Sequence, residues 1–290
     1  MHYEGDIYRP PSEAYSLILQ VTVGCTHNGC TFCPSYKAKK FRLKPFDLVM
    51  EDLREARRYY RHVERVFFAD GDAFCMTNKK LIRLLEAVRE LFPECKRVGS
   101  YSRAAQILDK SEDELGSLLD AGLGIVYVGA ESGSDEVLRR VNKGETAQQI
   151  IEAVKKAENV GMQTSVTFIS GLGGRDLISE HAVKTGELIS AMGASYVGLL
   201  TLLLTPEAPL YADVQSGKFT QLSPLEAVEE LEIIIENSNC EKATILRSNH
   251  PSNWLELRGT LPYDKESMLG QIRHAKTDTS ILRTGRYRQL

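Results

Sequence analysis

No apolar run in the chain approaches the roughly 18 residues that a membrane-spanning helix requires. The first residues, Met1-His-Tyr-Glu-Gly-Asp, are too polar for a secretory signal, so a cytosolic protein is expected. A strong charge imbalance is missing too. With 36 basic and 39 acidic side chains the net charge is −3, which gives no global attraction to nucleic acid or to an anionic membrane. No Ser–His–Asp set, phosphate loop or zinc-protease motif appears. Disorder is not expected either, because 42% hydrophobic and 26% charged residues is the balance of an ordinary globular protein. The 290 residues suffice for one large α/β domain or two modest ones. Cysteine is sparse, at six, and a long cytosol-type chain favours metal binding over three disulfides. Cys75, Cys95 and Cys240 stand alone and read as ordinary core or surface thiols.

What is present is concentrated in Cys25-Thr-His-Asn-Gly-Cys30-Thr-Phe-Cys33, three cysteines within nine residues. Thiolates are soft ligands suited to zinc or iron–sulfur clusters, and three of them leave a four-coordinate site open at one position. An open position is what chemistry needs, whereas a structural site wants a fourth ligand. His27 lies inside the loop, but as a fourth ligand it would block that position, so it reads as a neighbour of the site or as exposed.

Along the chain, residues 1–15 form an N-terminal arm, with Arg9-Pro10-Pro11 extended. Residues 16–23 are short and apolar and fit a buried parallel strand. Lys37, Lys39, Lys40, Arg42 and Lys44 follow the cysteines and read either as a solvated loop or as a contact for an anionic substrate or electron donor. Helical spacing over 46–62, a strand at 66–69 and an amphipathic helix over 79–91 come next. A strand at 97–102, a helix at 112–120, a strand at 125–130 and two helices capped by Gly161 continue the pattern. A strand at 166–170, a helix at 179–192 ended by Gly193 and a strand at 196–204 complete it. Six strand–helix units imply a parallel sheet with right-handed crossovers, either an incomplete barrel or an open doubly wound sheet. In both architectures the site forms from the loops at the carboxyl ends of the strands. The cysteine loop, Asp70-Gly71-Asp72, Tyr101-Ser102, Glu131-Ser132 and Gly171-Leu172-Gly173-Gly174 all follow strands directly and should converge there.

Four of these segments carry a resemblance over roughly residues 16–212: the cysteine loop, Asp70-Gly71-Asp72, the stretch from Tyr127 to Gly144 (YVGAESGSDEVLRRVNKG), and Ile169-Ser-Gly-Leu-Gly173. Together they resemble the radical S-adenosylmethionine (SAM) superfamily. That resemblance implies a partial (βα)6 TIM-like barrel with a small C-terminal α/β extension: arm 1–15, core barrel 16–212, capping extension 213–290. The superfamily's usual spacing is C-x3-C-x2-C; the C-x4-C-x2-C found here is similar to that of a branch of uncharacterised iron–sulfur oxidoreductases.

On this resemblance Cys25, Cys30 and Cys33 would hold three irons of a [4Fe–4S] cluster, and the fourth iron would chelate SAM. Phe32 matches an aromatic that packs near the adenine, the other reading being plain core. Asp70, Gly71 and Asp72 stand where the family has a Gly-Gly-Glu type motif, whose carbonyls and carboxylate accept from the SAM ammonium. Glu131 falls at a glutamine of oxygen-independent coproporphyrinogen oxidases, where a carboxylate could take both ribose hydroxyls. Lys143 replaces an arginine for the SAM carboxylate, keeping the charge but losing the bidentate fork. Thr167 replaces an aspartate on the fifth strand; Gly171 lets backbone approach the adenine or simply makes a left-handed turn; Ser102 joins them on the rim.

Beyond residue 213, Ser223-Pro224 opens an amphipathic helix to about Asn237, residues 243–247 form another strand, and a short helix ends near Ala275. Arg247, Asn249, His250 and Asn253 crowd around Trp254, the sole tryptophan, as a substrate-defining cap or as a hydrogen-bonded plug. The tail after Lys276 is polar and basic and is expected to be disordered. The function implied is reductive cleavage of SAM to a 5′-deoxyadenosyl radical that abstracts hydrogen from a substrate. A reducing donor of flavodoxin or ferredoxin type would be the partner. No cobalamin-binding domain, RNA-binding appendage or cysteine-rich extension is visible. The strand-four motif leans toward the branch holding the coproporphyrinogen and methylthio-transferring enzymes, so a porphyrin-like or small-metabolite substrate stands beside RNA or protein modification. The alternative is an iron–sulfur or zinc-binding electron-transfer or regulatory protein without SAM catalysis.

Overall fold

The computed structural model describes residues 1–285. Two compact units emerge from the chain, the first comprising Met1–Asn28, Ser35–Val128 and Lys156–Thr164. It carries β1 (Leu17–Gln20), β2 (Thr22–Val23), β3 (Arg42–Leu43), α1 (Phe46–Tyr59), β4 (Arg65–Ala69), α2 (Asn78–Leu91), β5 (Arg97–Ser102), α3 (Ala104–Leu108), α4 (Glu112–Asp120) and most of β6 (Leu123–Glu131). Strand β1 pairs in parallel with β4, β4 with β5, and β5 with β6. All four residues of β1 are buried, as a strand covered on both faces requires. Helix α1 buries Leu53 and Ala56, as its spacing anticipates, together with Val49, whereas Leu48 is half-buried and Tyr60 is exposed. It stops at Tyr59 rather than His62, where Tyr60 turns extended and the Arg57 guanidinium donates to the freed carbonyl of Arg61 at 3.2 Å.

The apolar run 16–23, expected as one strand, is two. At Val21 the chain leaves the parallel sheet, because its N–H donates to Ala69 O (2.6 Å) while its carbonyl accepts from Lys44 N (3.0 Å). Thr22 and Val23 then pair antiparallel with Leu43 and Arg42, drawing the end of the basic run into a strand. The arm also departs from a simple extended segment: Pro10 is extended, but Pro11–Glu13 form a 3-10 turn that buries Glu13. Three cations of the basic run are held internally, Lys39 by Asp70, Arg42 by Glu4 and Lys44 by Asp52.

The second unit comprises Gly29–Pro34, Gly129–Lys155 and the chain from Ser165 onward. It holds α5 (Asp135–Arg140), most of α6 (Ala147–Asn159) and β7 (Gln163–Ser170), then α7 (Ile178–Met192), β8 (Tyr196–Thr201), α8 (Leu210–Gln215), α9 (Pro224–Glu236), β9 (Thr244–Arg247), β10 (Arg258–Leu261) and α10 (Lys265–Thr277). Gly193 ends α7 in the left-handed region at φ +65°, and Ser223 with Glu226 forms a complete capping box on α9. Strand β8 stops at Thr201, short of Leu204: there the Thr201 N–H takes the Ser252 hydroxyl (3.2 Å) in place of a strand neighbour. The tail corrects the expectation of disorder: α10 runs to Thr277, Arg283 N–H donates to Trp254 O (2.8 Å), and its guanidinium reaches His250 O and Glu256. Residues 286–290 lie outside the described residues.

In the second unit β7 pairs in parallel with β8 and β8 with β9, while β10 runs antiparallel on β9. This is the α/β fold with a parallel sheet that the six repeated units anticipate.

Candidate active site

In the first unit, Asp70 and Asp72 follow β4 and both are fully buried. Asp70 Oδ2 accepts three hydrogen bonds of 3.0 Å, from Gln20 Nε2, the Gly24 N–H and Lys39 Nζ, while Oδ1 has no protein partner. Its carboxylate therefore holds the start of the cysteine loop and the far end of that loop's basic return. Asp72 Oδ2 accepts from the hydroxyl of Thr26, next to Cys25. Between them Gly71 cannot be another residue: a Cβ there would stand 2.5 Å from the Tyr36 ring and 3.1 Å from Cys25 Cβ. Asn28, at φ +43°, donates to the carbonyls of Tyr36 (2.7 Å) and Lys39 (3.3 Å), closing the loop on itself. Cys75 lies in the 3-10 turn after β4; burial first, then Asp72, push its thiol up to about 12, which makes it a poor nucleophile. Ser102, at the end of β5, is buried and donates to Arg103 O.

In the second unit, Phe32 is buried in an apolar cluster with Val137, Val141, Leu172, Leu202 and Leu210, against which Cys30 and Cys33 pack. Backbone bonds fix this half of the loop: Thr31 N–H donates to Val141 O (2.9 Å), Thr31 O accepts from Leu210 N (2.9 Å), and Asn142 Nδ2 donates to Gly29 O (3.1 Å). The hydroxyl of Thr31 is buried between the two cysteines without a hydrogen-bond partner.

Glu131, the last residue of β6, sits at φ +69° and arches back over Gly129, where any Cβ would collide with its carboxylate. Lys143 Nζ lies 3.2 Å from Glu131 and 3.9 Å from Glu145. Burial works against the Lys143 ammonium, but the two carboxylates outweigh it and raise its pKa to about 12. Burial raises Glu131, with Lys143 opposing. Glu131 and Lys143, both singled out in the sequence, thus meet each other directly. Gly171 adopts φ +84°, as a left-handed turn requires. Thr167 faces the half-buried side of β7, in register with Gly198 of β8.

Two residues that sequence reading missed organise this unit. His181 of α7 is fully buried; its Nδ1 meets the Ser132 hydroxyl at 2.7 Å and its Nε2 the Ile169 carbonyl at 3.1 Å. Because Nε2 faces a carbonyl oxygen, which can only accept, the ring keeps its proton on Nε2 and Nδ1 accepts from the Ser132 hydroxyl. Glu230 of α9 accepts from the Ser170 hydroxyl (2.5 Å) and the Gly171 N–H (2.6 Å). Burial raises its pKa, partly offset by His181 with Nε2 4.0 Å away. The loops after β6 and β7 are thereby tied to α7 and α9. In the C-terminal region, Asn253 is buried and committed to Leu199 O (2.7 Å) and the Thr201 hydroxyl (3.0 Å), and His250 bonds Ser252. Arg247 and Asn249 are exposed.

The sequence profile of the radical SAM superfamily matches residues 19–185, more than half of the 290-residue chain. The chain belongs to the radical SAM superfamily. Its cofactors are accordingly a [4Fe–4S] cluster and SAM. This radical SAM protein is 27% identical over 173 residues to a putative methylthiotransferase of Methanocaldococcus jannaschii, a match covering 57% of this chain and 37% of that protein. It spans less than half the length of such curated relatives. In fold it resembles coproporphyrinogen III oxidase (HemN) of Escherichia coli, with a TM-score of 0.58, 17% identity, and coverage of 77% of this chain and 52% of that one. Methylornithine synthase (PylB) aligns with a TM-score of 0.55 and 14% identity over 91% of this chain and 84% of that one.

The residues present fit the cluster as a donor set. All six cysteines are thiols rather than disulfides, and three lie in the loop. The unsatisfied Thr31 hydroxyl between Cys30 and Cys33 is a buried donor with sulfur on both sides in sequence. Among the described residues no three His, Cys, Asp or Glu side chains are already grouped as a metal site.

Proposed function

We propose that this radical SAM protein is an enzyme that cleaves SAM reductively and uses the resulting radical to take hydrogen from an organic substrate. The observation that carries the reading is the cysteine loop itself. It has almost no regular structure, yet Gly24, Asn28, Gly29 and Thr31 are each pinned by hydrogen bonds while its thiols stay out of disulfides. Cys25, Cys30 and Cys33 would hold the cluster, leaving one position open for the amino and carboxylate groups of SAM. When bound, the pair supplies an electron to the sulfonium and a 5′-deoxyadenosyl radical that abstracts hydrogen. Phe32 and Leu172 contribute an apolar wall that keeps water away. Lys143, held charged, presents a cation for a carboxylate; Glu131 positions it and offers acceptors for hydroxyl groups. The Asp70-Gly71-Asp72 turn provides backbone carbonyls for an ammonium, and beside them Asp70 Oδ1, which has no protein partner, while Oδ2 is spent on the loop. Ser102 and Gly171 are the remaining candidate cofactor contacts. A flavodoxin- or ferredoxin-like donor would supply the electron.

Methylthio transfer to RNA or protein and oxidation of a porphyrin-like or other small metabolite both begin with this abstraction, so the first test does not depend on the choice. Protein isolated without oxygen should carry roughly four iron and four sulfide per chain and, on reduction with SAM, release 5′-deoxyadenosine. Replacing any of Cys25, Cys30 or Cys33 by Ala should remove both. Stoichiometric zinc, or a fully loaded cluster that never cleaves SAM, would overturn the reading in favour of a metal-binding regulator or electron carrier.

A further inference from the structure

Strand register in the second unit aligns four residues in one row. Thr167 of β7 pairs with Gly198 of β8, Gly198 with Arg247 of β9, and Arg247 with Arg258 of β10. Residues in register share a face, and neighbouring strands lie about 4.8 Å apart, so the row is about 14 Å long. The face is the open one. Along β7 and β8 the alternate residues Val166, Phe168, Val197 and Leu199 are buried, while Thr167 and Gly198 are only half-buried and both arginines are exposed.

Two features of the row point to a ligand. Gly198 leaves a bare floor: a Cβ there would meet nothing closer than the Thr167 hydroxyl at 3.7 Å and Leu200 at 3.9 Å. Beside that floor stand two arginines directly opposite each other on antiparallel strands, an arrangement that repels when both are charged. Neither has a carboxylate partner among the described residues, whereas Arg97, Arg140 and Arg175 do. Arg247 is also pre-set. Its Nη1 donates to the carbonyls of Leu246 (2.8 Å) and Gly259 (3.3 Å), which fixes the guanidinium and leaves Nε and Nη2 for an acceptor.

We propose that Thr167, Gly198, Arg247 and Arg258 form a subsite for an anionic oxyacid group, a carboxylate or a phosphate, of the substrate. The group sits on Gly198, bridges the two guanidiniums and takes the Thr167 hydroxyl as a neutral donor. Paired arginines in a fork geometry suit planar or tetrahedral oxyanions, and the bound anion cancels the repulsion that the free row carries. Calling that anion part of a substrate rests on the radical SAM reading; the anion site itself does not.

The test uses the full chain in low-salt buffer, titrated separately with inorganic phosphate and with citrate against sodium chloride of matched ionic strength. The expected result is a rise in melting temperature with phosphate, citrate or both that chloride does not reproduce. Arg247→Gln and Arg258→Gln should each cut the response by at least half, with Arg247→Lys retaining part of it. Without anion, Arg258→Gln should melt no lower than wild type, because it removes a like-charge neighbour. Phosphate acting alone assigns a phosphoryl group, and citrate acting alone a carboxylate. A wild-type response no larger than that to chloride, or a full response in both glutamine variants, overturns the proposal. Failure of wild-type protein to release 5′-deoxyadenosine would sink the enzymatic reading while the titration still judged the subsite.

Discussion

Removing the Asp70 carboxylate tests whether the cysteine loop is held from below by one buried charge. Its Oδ2 receives Gln20, the Gly24 N–H and Lys39, each at 3.0 Å, and its side chain is fully buried while that of Lys39 is 10% exposed. Asp70→Ala strands the ammonium, which keeps the Asp6 carbonyl and its place over the Tyr36 ring, 5.6 Å from the centroid, but no counter-charge. Breaking a buried pair from one side costs about 3–5 kcal/mol. Asp70→Asn is milder. Its amide oxygen can keep all three donors, but the charge is lost and the NH2, falling where Oδ1 has no partner, becomes a buried donor without an acceptor, together about 2–3 kcal/mol. Urea denaturation of the reduced protein measures both. The double variant Asp70→Asn with Lys39→Met should recover part of the loss, giving a coupling energy of about 1–2 kcal/mol. A cost below about 1 kcal/mol for Asp70→Ala, or strict additivity in the cycle, would refute the account.

Three further outcomes are expected. Gly71→Ala should destabilise by about 1–3 kcal/mol, since its methyl group would press on the Tyr36 ring and Cys25; a neutral melting curve would show that the turn yields more easily than its packing implies. His181→Phe should cost about 1–3 kcal/mol by stranding the Ser132 hydroxyl and the Ile169 carbonyl, and hydrogen exchange at the Ser134 amide should quicken; unchanged protection there would mean that the ring does not tie the loop. The Arg175 guanidinium, with the Ser223 backbone and hydroxyl, holds the Glu226 pKa down to about 2 from its ordinary 4.5. A depressed carboxyl stabilises above its unfolded pKa, so this contribution is whole above about pH 4.5 and fades as pH falls toward 2. Wild type and Glu226→Gln should therefore differ most near neutral pH and converge in acid; a gap constant with pH would exclude the ion pair as its source.

The candidate site residues stand out in the sequence by type and spacing: three cysteines in nine residues, Asp70-Gly71-Asp72 after a strand, Glu131 and Lys143 within one long motif. Strand–helix alternation reveals the parallel sheet for the same reason, a period of two giving way to one of 3.6. Other features depend on partners far away in sequence. The break at Val21 is decided by Ala69 and Lys44, and the end of β8 by Ser252. His181 looks like one polar residue on an amphipathic helix, and nothing local reveals that its ring spans Ser132 and Ile169. Arg258 carries no signal of its own, since only the β9–β10 register sets it opposite Arg247. Asp70 looks by position like a cofactor contact, whereas its three donors make it first a clamp on the loop.

The backbone at Glu131 bears on how this protein could change over generations. A side chain other than glycine at φ +69° carries a conformational penalty of about 1–3 kcal/mol. Glycine would relieve it, and Lys143 would still have Glu145 nearby. Selection for heat resistance alone should thus favour the substitution Glu131→Gly and discard the carboxylate, whereas selection for turnover should keep Glu131 against that slope. A library sorted first for one property and then for the other would separate the two pressures at a single codon.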